Sequence, residues 1–244
     1  MKQNNTNKNI MLFIGPPFGN YISLSNPNII SIKGSFTLEP RYGLLPQIFK
    51  TLRYSFQHSG WINKIGLRNP GIDYAIQNWK KEYIYSIAIL DKKEIPILVE
   101  KIPNSMNIEL NVSCPNAEKH MITEGLGKFI CDSRDWCIIK LSPKTDEKTV
   151  DDFYKEGFRQ FHCSNTLPTP TGGLSGPTLR PYTKKLVTYI KQKYPDTIVI
   201  AGGGTRTVND IEEYRKIGAD HFAASTIFFN PFQSLILLYK YNDK

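Results

Sequence analysis

Eight short runs of apolar and β-branched residues recur along this chain with helical or loop material between them: Met11–Ile14, Ile29–Ile32, Ile84–Ile89, Ile108–Val112, Trp136–Leu141, Gln160–Cys163, Thr197–Ala201 and His221–Ala224. Each has strand length, and most are apolar throughout rather than alternating. Strands of that kind, separated by helical segments, are parallel strands buried on both faces. The intervening stretches carry helix signals. Thr207-Val208-Asn209-Asp210 has the form of a capping box, and Ile211, Tyr214 and Ile217 then share one face before Gly218. Tyr182–Lys193 carries Leu186, Tyr189 and Ile190 at helical spacing, and Lys144–Gly157 places Val150, Phe153 and Tyr154 together after Thr145-Asp146. Eight strands and intervening helices within 244 residues predict an α/β fold of one domain, a (β/α)₈ TIM barrel over residues 11–244 behind a flexible tail at 1–10. The stretch Gly34–Gly71 is too long for a simple crossover, and excursions of that length usually cover a site.

The composition suits such a core, with 40% hydrophobic and 22% charged residues. No apolar run approaches the roughly 20 residues of a membrane span. Met1–Asn9 is rich in Asn and Lys and lacks the apolar centre of a signal peptide, so the expected location is cytoplasmic, with no membrane partner. The net charge of +9 comes from scattered lysines without aromatic interleaving. It reads as a solvated surface, and nucleic acid is not an expected partner. A phosphate-bearing ligand would also suit that field. The four cysteines, Cys114, Cys131, Cys137 and Cys163, form no CxxC pair and no zinc-ligand spacing, so no metal site is expected. Cys131, Cys137 and Cys163 stand in or near apolar segments as small hydrophobes. Cys114 alone sits among polar residues at a strand exit.

In a parallel barrel the working residues lie at the C-terminal ends of the strands. Those ends read Gly15, Lys33, Ser86, Asn111 with Cys114 and Asn116, Lys140, Asn165 with Thr166, Gly202–Gly204, and Ser225-Thr226. The set is heavily polar although the strands feeding it are apolar. Glu109–Asn116 (Glu-Leu-Asn-Val-Ser-Cys-Pro-Asn) ends a strand in a cysteine flanked by asparagines. These residue types can grip a polar planar ligand and move a proton beside it. Ile198–Ala201, then Gly202-Gly203-Gly204-Thr205, then the Thr207 helix make a strand, a glycine turn and a helix N-terminus, which is an anion site. A second glycine cluster is Gly172-Gly173-Leu174-Ser175-Gly176-Pro177. Either turn alone is better explained as a tight turn. Two converging on one barrel end point to a phosphorylated cofactor. Lys33 and Lys140 each end an apolar strand. A lysine there can snorkel into water, but two facing one barrel mouth would stabilise negative charge on a ligand.

These blocks together resemble the dihydroorotate dehydrogenase family. Asn111–Asn116, Gly172–Pro177 and Ile200–Gly204 carry the resemblance, with Lys33…Thr37-Leu38-Glu39-Pro40-Arg41, Asn63–Gly71, and Gly218-Ala219-Asp220 leading to Thr226. They arrive in the family's order. The resemblance implies an FMN-containing (β/α)₈ barrel that oxidises dihydroorotate to orotate in pyrimidine biosynthesis. It implies that Cys114 is the base taking the proton from carbon 5, as in the cysteine-bearing class 1 enzymes, while the carbon 6 hydride goes to FMN. Substrate contacts would come from Lys33, Asn63, Gly66, Leu67, Asn111, Asn116, Asn165 and Thr166. Cofactor contacts would come from Gly15, Lys33, Asn111, Lys140, Gly173, Gly203, Gly204, Ser225 and Thr226. The partners implied are the small-molecule substrate, a second copy in a homodimer, and a separate iron–sulfur flavoprotein that takes the electrons onward.

Departures from the family pattern bear on substrate choice and assembly. The first barrel strand begins near Met11 without the usual N-terminal hairpin, and Ile14-Gly15-Pro16 replaces Ala-Ser-Gly. Gly43-Leu44-Leu45 replaces Gly-Asn-Pro, Ser225 stands where glycine is common, and the loop after Cys114 is trimmed. Rival readings are a dihydrouridine synthase, whose Asn-x-x-Cys-Pro loop is similar, and a dihydropyrimidine dehydrogenase-like flavin barrel. A catalytically degenerate flavin-binding module is the third.

Overall fold

In the computed structural model, which describes residues 10–112 and 122–242, each of the eight apolar runs is a strand. In chain order, β1 (Leu12–Ile14) and β2 (Ile29–Phe36) are followed by two short strands outside the barrel, β3 (Arg53–Ser55) and β4 (Gly60–Asn63). Next come β5 (Ile84–Ala88), β6 (Ile108–Asn111), β7 (Cys137–Leu141) and β8 (Gln160–Cys163). A second outside pair, β9 (Leu167–Thr169) and β10 (Gly172–Ser175), precedes β11 (Ile198–Ala201) and β12 (His221–Ala224). The barrel closes in the order β1-β12-β11-β8-β7-β6-β5-β2 with every neighbouring pair parallel.

Both faces of these strands are buried, which is why the runs lack alternation. Phe13, Ile32, Ile84, Ile138, Ile200 and Ala223 form a cluster with no helix residue in it, the packed interior of the barrel. The residues between them, among them Leu12, Tyr85, Leu110, Ile139, Phe161 and Val199, belong to the larger cluster beneath the helices.

The helices are α1 (Leu44–Thr51), α2 (Ile72–Gln77), α3 (Glu94–Lys101), α4 (Glu147–Lys155), α5 (Arg180–Lys193), α6 (Val208–Lys216) and α7 (Pro231–Asn242). The expected start signals hold. The Asp146 side chain caps α4 by accepting from the Thr149 N–H at 2.8 Å. Thr207 and Asp210 form a reciprocal capping box on α6. α5 begins two residues before the expected Tyr182, because Pro181 sits in its first turn, where a missing N–H costs nothing.

The helix complement departs from one helix per crossover. The β1–β2 link holds only a 3-10 turn, Phe18–Asn20. A Cβ on Gly19 would stand 2.1 Å from the Ile32 carbonyl oxygen and 2.4 Å from that of Ile14, so the turn lies directly on the strand ends and leaves no layer for a helix. In the described part of the β6–β7 link the only helical turn is Leu126–Phe129. The Gly34–Gly71 excursion does form a cover. Its β3 and β4 join β10 and β9 in an antiparallel sheet over a small core of Leu167, Leu174 and Leu179. Cys163 is buried as expected, whereas Cys131 and Cys137 are only partly so.

Candidate active site at the C-terminal end of the barrel

One step beyond the apolar interior layer, the same inward-facing positions become small or polar. Phe13 is followed by Gly15, Ile32 by Gly34, Ile84 by Ser86, Ile138 by Lys140, Ile200 by Gly202 and Ala223 by Ser225. From the neighbouring strands Glu109 and His162 point into the same layer, as their registers opposite Ile138 and Lys140 require.

Glu109 is fully buried between two partners. Its Oε1 accepts from Lys140 Nζ at 3.1 Å, and its Oε2 lies 2.6 Å from His162 Nδ1. Burial alone would push this carboxyl up, but Lys140 and His162 together outweigh it and hold it down at about 2. For His162, burial first and the Lys140 ammonium second keep the imidazole below its usual range against the pull of Glu109. At neutral pH Glu109 is therefore a carboxylate and His162 a neutral imidazole.

Above this layer a network of short side chains orients two carboxamides. Ser35 and Ser86 hydroxyls are 2.8 Å apart, Asn111 Nδ2 donates to Ser35 Oγ at 3.1 Å, and Asn165 Nδ2 donates to Asn111 Oδ1 at 2.9 Å. Asn165 Oδ1 in turn accepts from the Thr166 N–H at 2.8 Å. The two asparagines, far apart in sequence, are locked side by side with their amide orientations set.

Beside them lies a cleft of about 110 Å³ lined by Gly15, Lys140, His162, Asn165, Thr166, Gly176, Gly202–Thr205, Ser225 and Thr226. The turn after β11 is held from behind. The Gly203 carbonyl accepts from Thr183 Oγ1 at 3.2 Å and from the Tyr214 hydroxyl. Across the planar peptide the Gly204 N–H then points the opposite way. Gly204 has φ +87°, and Arg180 braces it by donating from Nε to its carbonyl at 3.2 Å while pairing with Asp210 at 2.6 Å. Thr205 lines the cleft, and its hydroxyl is buried with no hydrogen-bond partner among the described residues. A glycine turn beside the buried Thr205 hydroxyl, with Ser225 and Thr226 lining the same cleft, can accommodate a phosphate monoester. The cleft is smaller than the roughly 300 Å³ of a complete small-molecule site, so the described residues form part of such a site rather than all of one.

Of the residues singled out in the sequence, Gly15, Lys140, Asn165, Thr166, Gly203, Gly204, Ser225 and Thr226 converge on this cleft, and Asn111 joins through Asn165. Cys114 and Asn116 lie outside the described residues. Lys33 is not brought to this cleft. It stands opposite Tyr85 of the outer cluster, one residue out of step with Ile32 and Gly34, so it points away from the interior. Its Nζ donates to Ser23 Oγ at 2.8 Å and lies 4.3 Å from the Tyr83 ring centroid. The inward position on β2 is Gly34, where a Cβ would meet the Ser86 carbonyl oxygen at 2.6 Å.

Gly173 does not line the cleft either. It is paired within the cover between Asn63 and Pro168, and Gly176 lines the cleft instead. Asn63, Gly66 and Leu67 sit on the excursion outside the cleft lining. The Gly66 carbonyl accepts from Arg41 Nε at 3.1 Å, and the Leu67 carbonyl from Asn69 Nδ2 at 2.7 Å. Sequence reasoning did not single out Ser35 or His162, and it named Glu109 and Thr205 only as members of longer segments. Glu109 and His162 did carry a signal, since each is a titratable side chain within an otherwise apolar strand. Burial pushes the Cys137 thiol up to about 11 and raises that of Cys163 further, so neither offers a thiolate near neutral pH.

The family model described as dihydroorotate dehydrogenase matches residues 17–129. The catalytic subunit of dihydroorotate dehydrogenase B (NAD(+)) from Staphylococcus carnosus is 28% identical over 260 residues, covering 89% of this chain and 80% of its own. The corresponding subunit from Thermotoga petrophila is 27% identical, with 90% and 91% covered. Among solved structures, dihydroorotate dehydrogenase from Eimeria tenella in complex with ferulenol superposes with a TM-score of 0.62 at 17% identity, covering 88% of this chain and 76% of that one. That likeness establishes the same barrel fold.

Proposed function

We propose that this chain, which belongs to the dihydroorotate dehydrogenase family, oxidises dihydroorotate to orotate in pyrimidine biosynthesis with FMN as its cofactor. The observation that carries the reading is the locked Asn111–Asn165 pair beside a glycine cleft fitted to a phosphate. Donors and acceptors on adjacent carboxamides match a ring that offers both amide N–H and carbonyl groups. FMN, when bound, supplies the acceptor for the hydride that leaves carbon 6. Gly203, Gly204, Thr205, Ser225 and Thr226 would hold its phosphate, and Lys140 would stand at its ring. Asn111, Asn165, Thr166 and Asn116 would orient the pyrimidine, with Asn63, Gly66 and Leu67 approaching from the cover.

Cys114 would take the carbon 5 proton. Its support is its place three residues after Asn111 in Asn-Val-Ser-Cys-Pro-Asn. Loss of one proton from carbon 5 and one hydride from carbon 6 leaves the double bond of orotate. Electrons would pass to a separate iron–sulfur flavoprotein. The name of the relatives, a catalytic subunit, supports this, as does the absence of an iron–sulfur cysteine spacing in the sequence. A homodimer in the cytoplasm is the proposed setting. Among the described residues no helix is long and apolar enough to cross a membrane.

Anaerobic titration tests the reading. The purified protein is expected to be yellow and to bleach with dihydroorotate; a colourless protein that FMN does not reconstitute would overturn it. Lys140 is the one ammonium among the described cleft residues, so the same titration with dihydrouracil, which lacks the carboxylate, decides the substrate. Cys114→Ala should keep FMN and lose about 10²–10⁴-fold in turnover with dihydroorotate. Near-native turnover would refute the base assignment.

A further inference from the structure

The buried layer beneath the cleft holds a charge arrangement that the proposed reaction does not by itself demand. Three adjacent strands, β6, β7 and β8, each place one titratable side chain there. Glu109 offers one oxygen to Lys140 at 3.1 Å and the other to His162 at 2.6 Å. The Lys140 side chain is 12% exposed, that of His162 4%, and that of Glu109 0%. A carboxylate has only acceptors, so a neutral imidazole at 2.6 Å must carry its hydrogen on Nδ1. Its Nε2 is then an acceptor, and it abuts Gly202, where an added Cβ would stand 2.6 Å away. Lys140 and Glu109 are the charges that act on the ring, and the neighbours from β11 and β12, Gly202 and Ala223, bring none.

We propose that His162 is a positioning residue for Lys140: by binding the second oxygen of Glu109, it sets how much of the ammonium's positive charge reaches the flavin end of the cleft. A lone buried Lys–Glu pair would cancel much of its own field. Drawing the carboxylate towards an imidazole N–H weakens that cancellation, and Lys140, which lines the cleft, then stabilises the negative charge a flavin gains on reduction. The inference rests on the FMN reading above. It needs no turnover, so the two are separable.

The test is the midpoint potential of bound FMN, measured by dye-coupled reductive titration without dihydroorotate. His162→Leu leaves Glu109 to neutralise Lys140 and should shift the potential down. Glu109→Gln removes the carboxylate that offsets Lys140 and should shift it up. Each shift should reach at least about tenfold in the oxidised-to-reduced equilibrium, or about 30 mV for a two-electron couple. His162→Asn keeps an N–H for the carboxylate and should restore a near-native potential. A merely structural role would move the Leu and Gln variants the same way or neither, and either result overturns the proposal. So does a His162→Asn variant that behaves as Leu does. Should a variant fail to fold, nitrogen NMR of the native imidazole decides. A neutral ring protonated on Nδ1 supports the proposal, and one protonated on Nε2 refutes it. A protein that binds FMN but ignores dihydroorotate would sink the substrate reading alone, and one that binds no flavin would sink both.

Discussion

Lys33 and Lys140 look alike in sequence, each closing an apolar strand, yet they face opposite sides of the barrel wall. Side chains alternate across a strand, so one step separates a residue that lines the site from one that lies under the outer layer. Lys33 is out of step with Ile32, and Lys140 is in step with Ile138. Lys33→Ala is therefore expected to leave FMN affinity within about twofold of native, as for a surface change of about 0.5 kcal/mol, by fluorescence titration. A loss of a hundredfold would return Lys33 to the site. The buried cluster also predicts acid sensitivity. The folded pKa values of His162 and Glu109 are both depressed, so the unfolded chain binds more protons and stability falls as pH falls. The decline should begin below about 6.5, the unfolded imidazole value, and steepen between 4.5 and about 2 as Glu109 is forced to protonate. Urea midpoints across that range should fall more steeply for the native chain than for His162→Asn, and equal slopes would contradict the assignment.

Individual elements were legible where a local signal governs them. The α6 start was readable because Thr207 and Asp210 satisfy orphan N–H groups of the first turn within four residues of sequence. Asp210 also accepts from the Arg206 and Thr207 N–H groups at 2.8 Å and pairs with Arg180, which ties the cap to the glycine turn. Thr207→Ala should cost about 0.5–2 kcal/mol, read from the urea midpoint at unchanged slope. Because α6 starts where the cleft ends, FMN affinity should fall with it. The missing helix between β1 and β2 left no such mark. Gly19 is an ordinary turn residue in sequence, and only the close approach of the Ile14 and Ile32 carbonyls shows that nothing larger fits. Gly173 and Gly176 are likewise equivalent on paper. Pairing of β10 with β4 takes the first into the cover and leaves the second at the cleft.

At the scale of the whole molecule, the barrel depends on a narrow interior filled by side chains from six of its strands. Phe13 packs edge-on against Trp136 at 5.2 Å between ring centroids and lies 5.9 Å from His221, so it spans the interior from β1 to the far wall. Phe13→Ala should cost about 3–5 kcal/mol, because rigid strands cannot collapse into the space, and a thermal melt showing no change would argue against a filled barrel. The sequence by itself determined the eight strands, the capped helices and the polar set at the strand ends, since strand length, apolar content and capping are local properties. Tertiary structure alone decided which of those residues meet. Barrel closure brings Asn111 beside Asn165 and seats Glu109 between Lys140 and His162, and strand parity turns Lys33 outward. Such contacts depend on register between strands that are distant in sequence, and no spacing within one strand encodes that register.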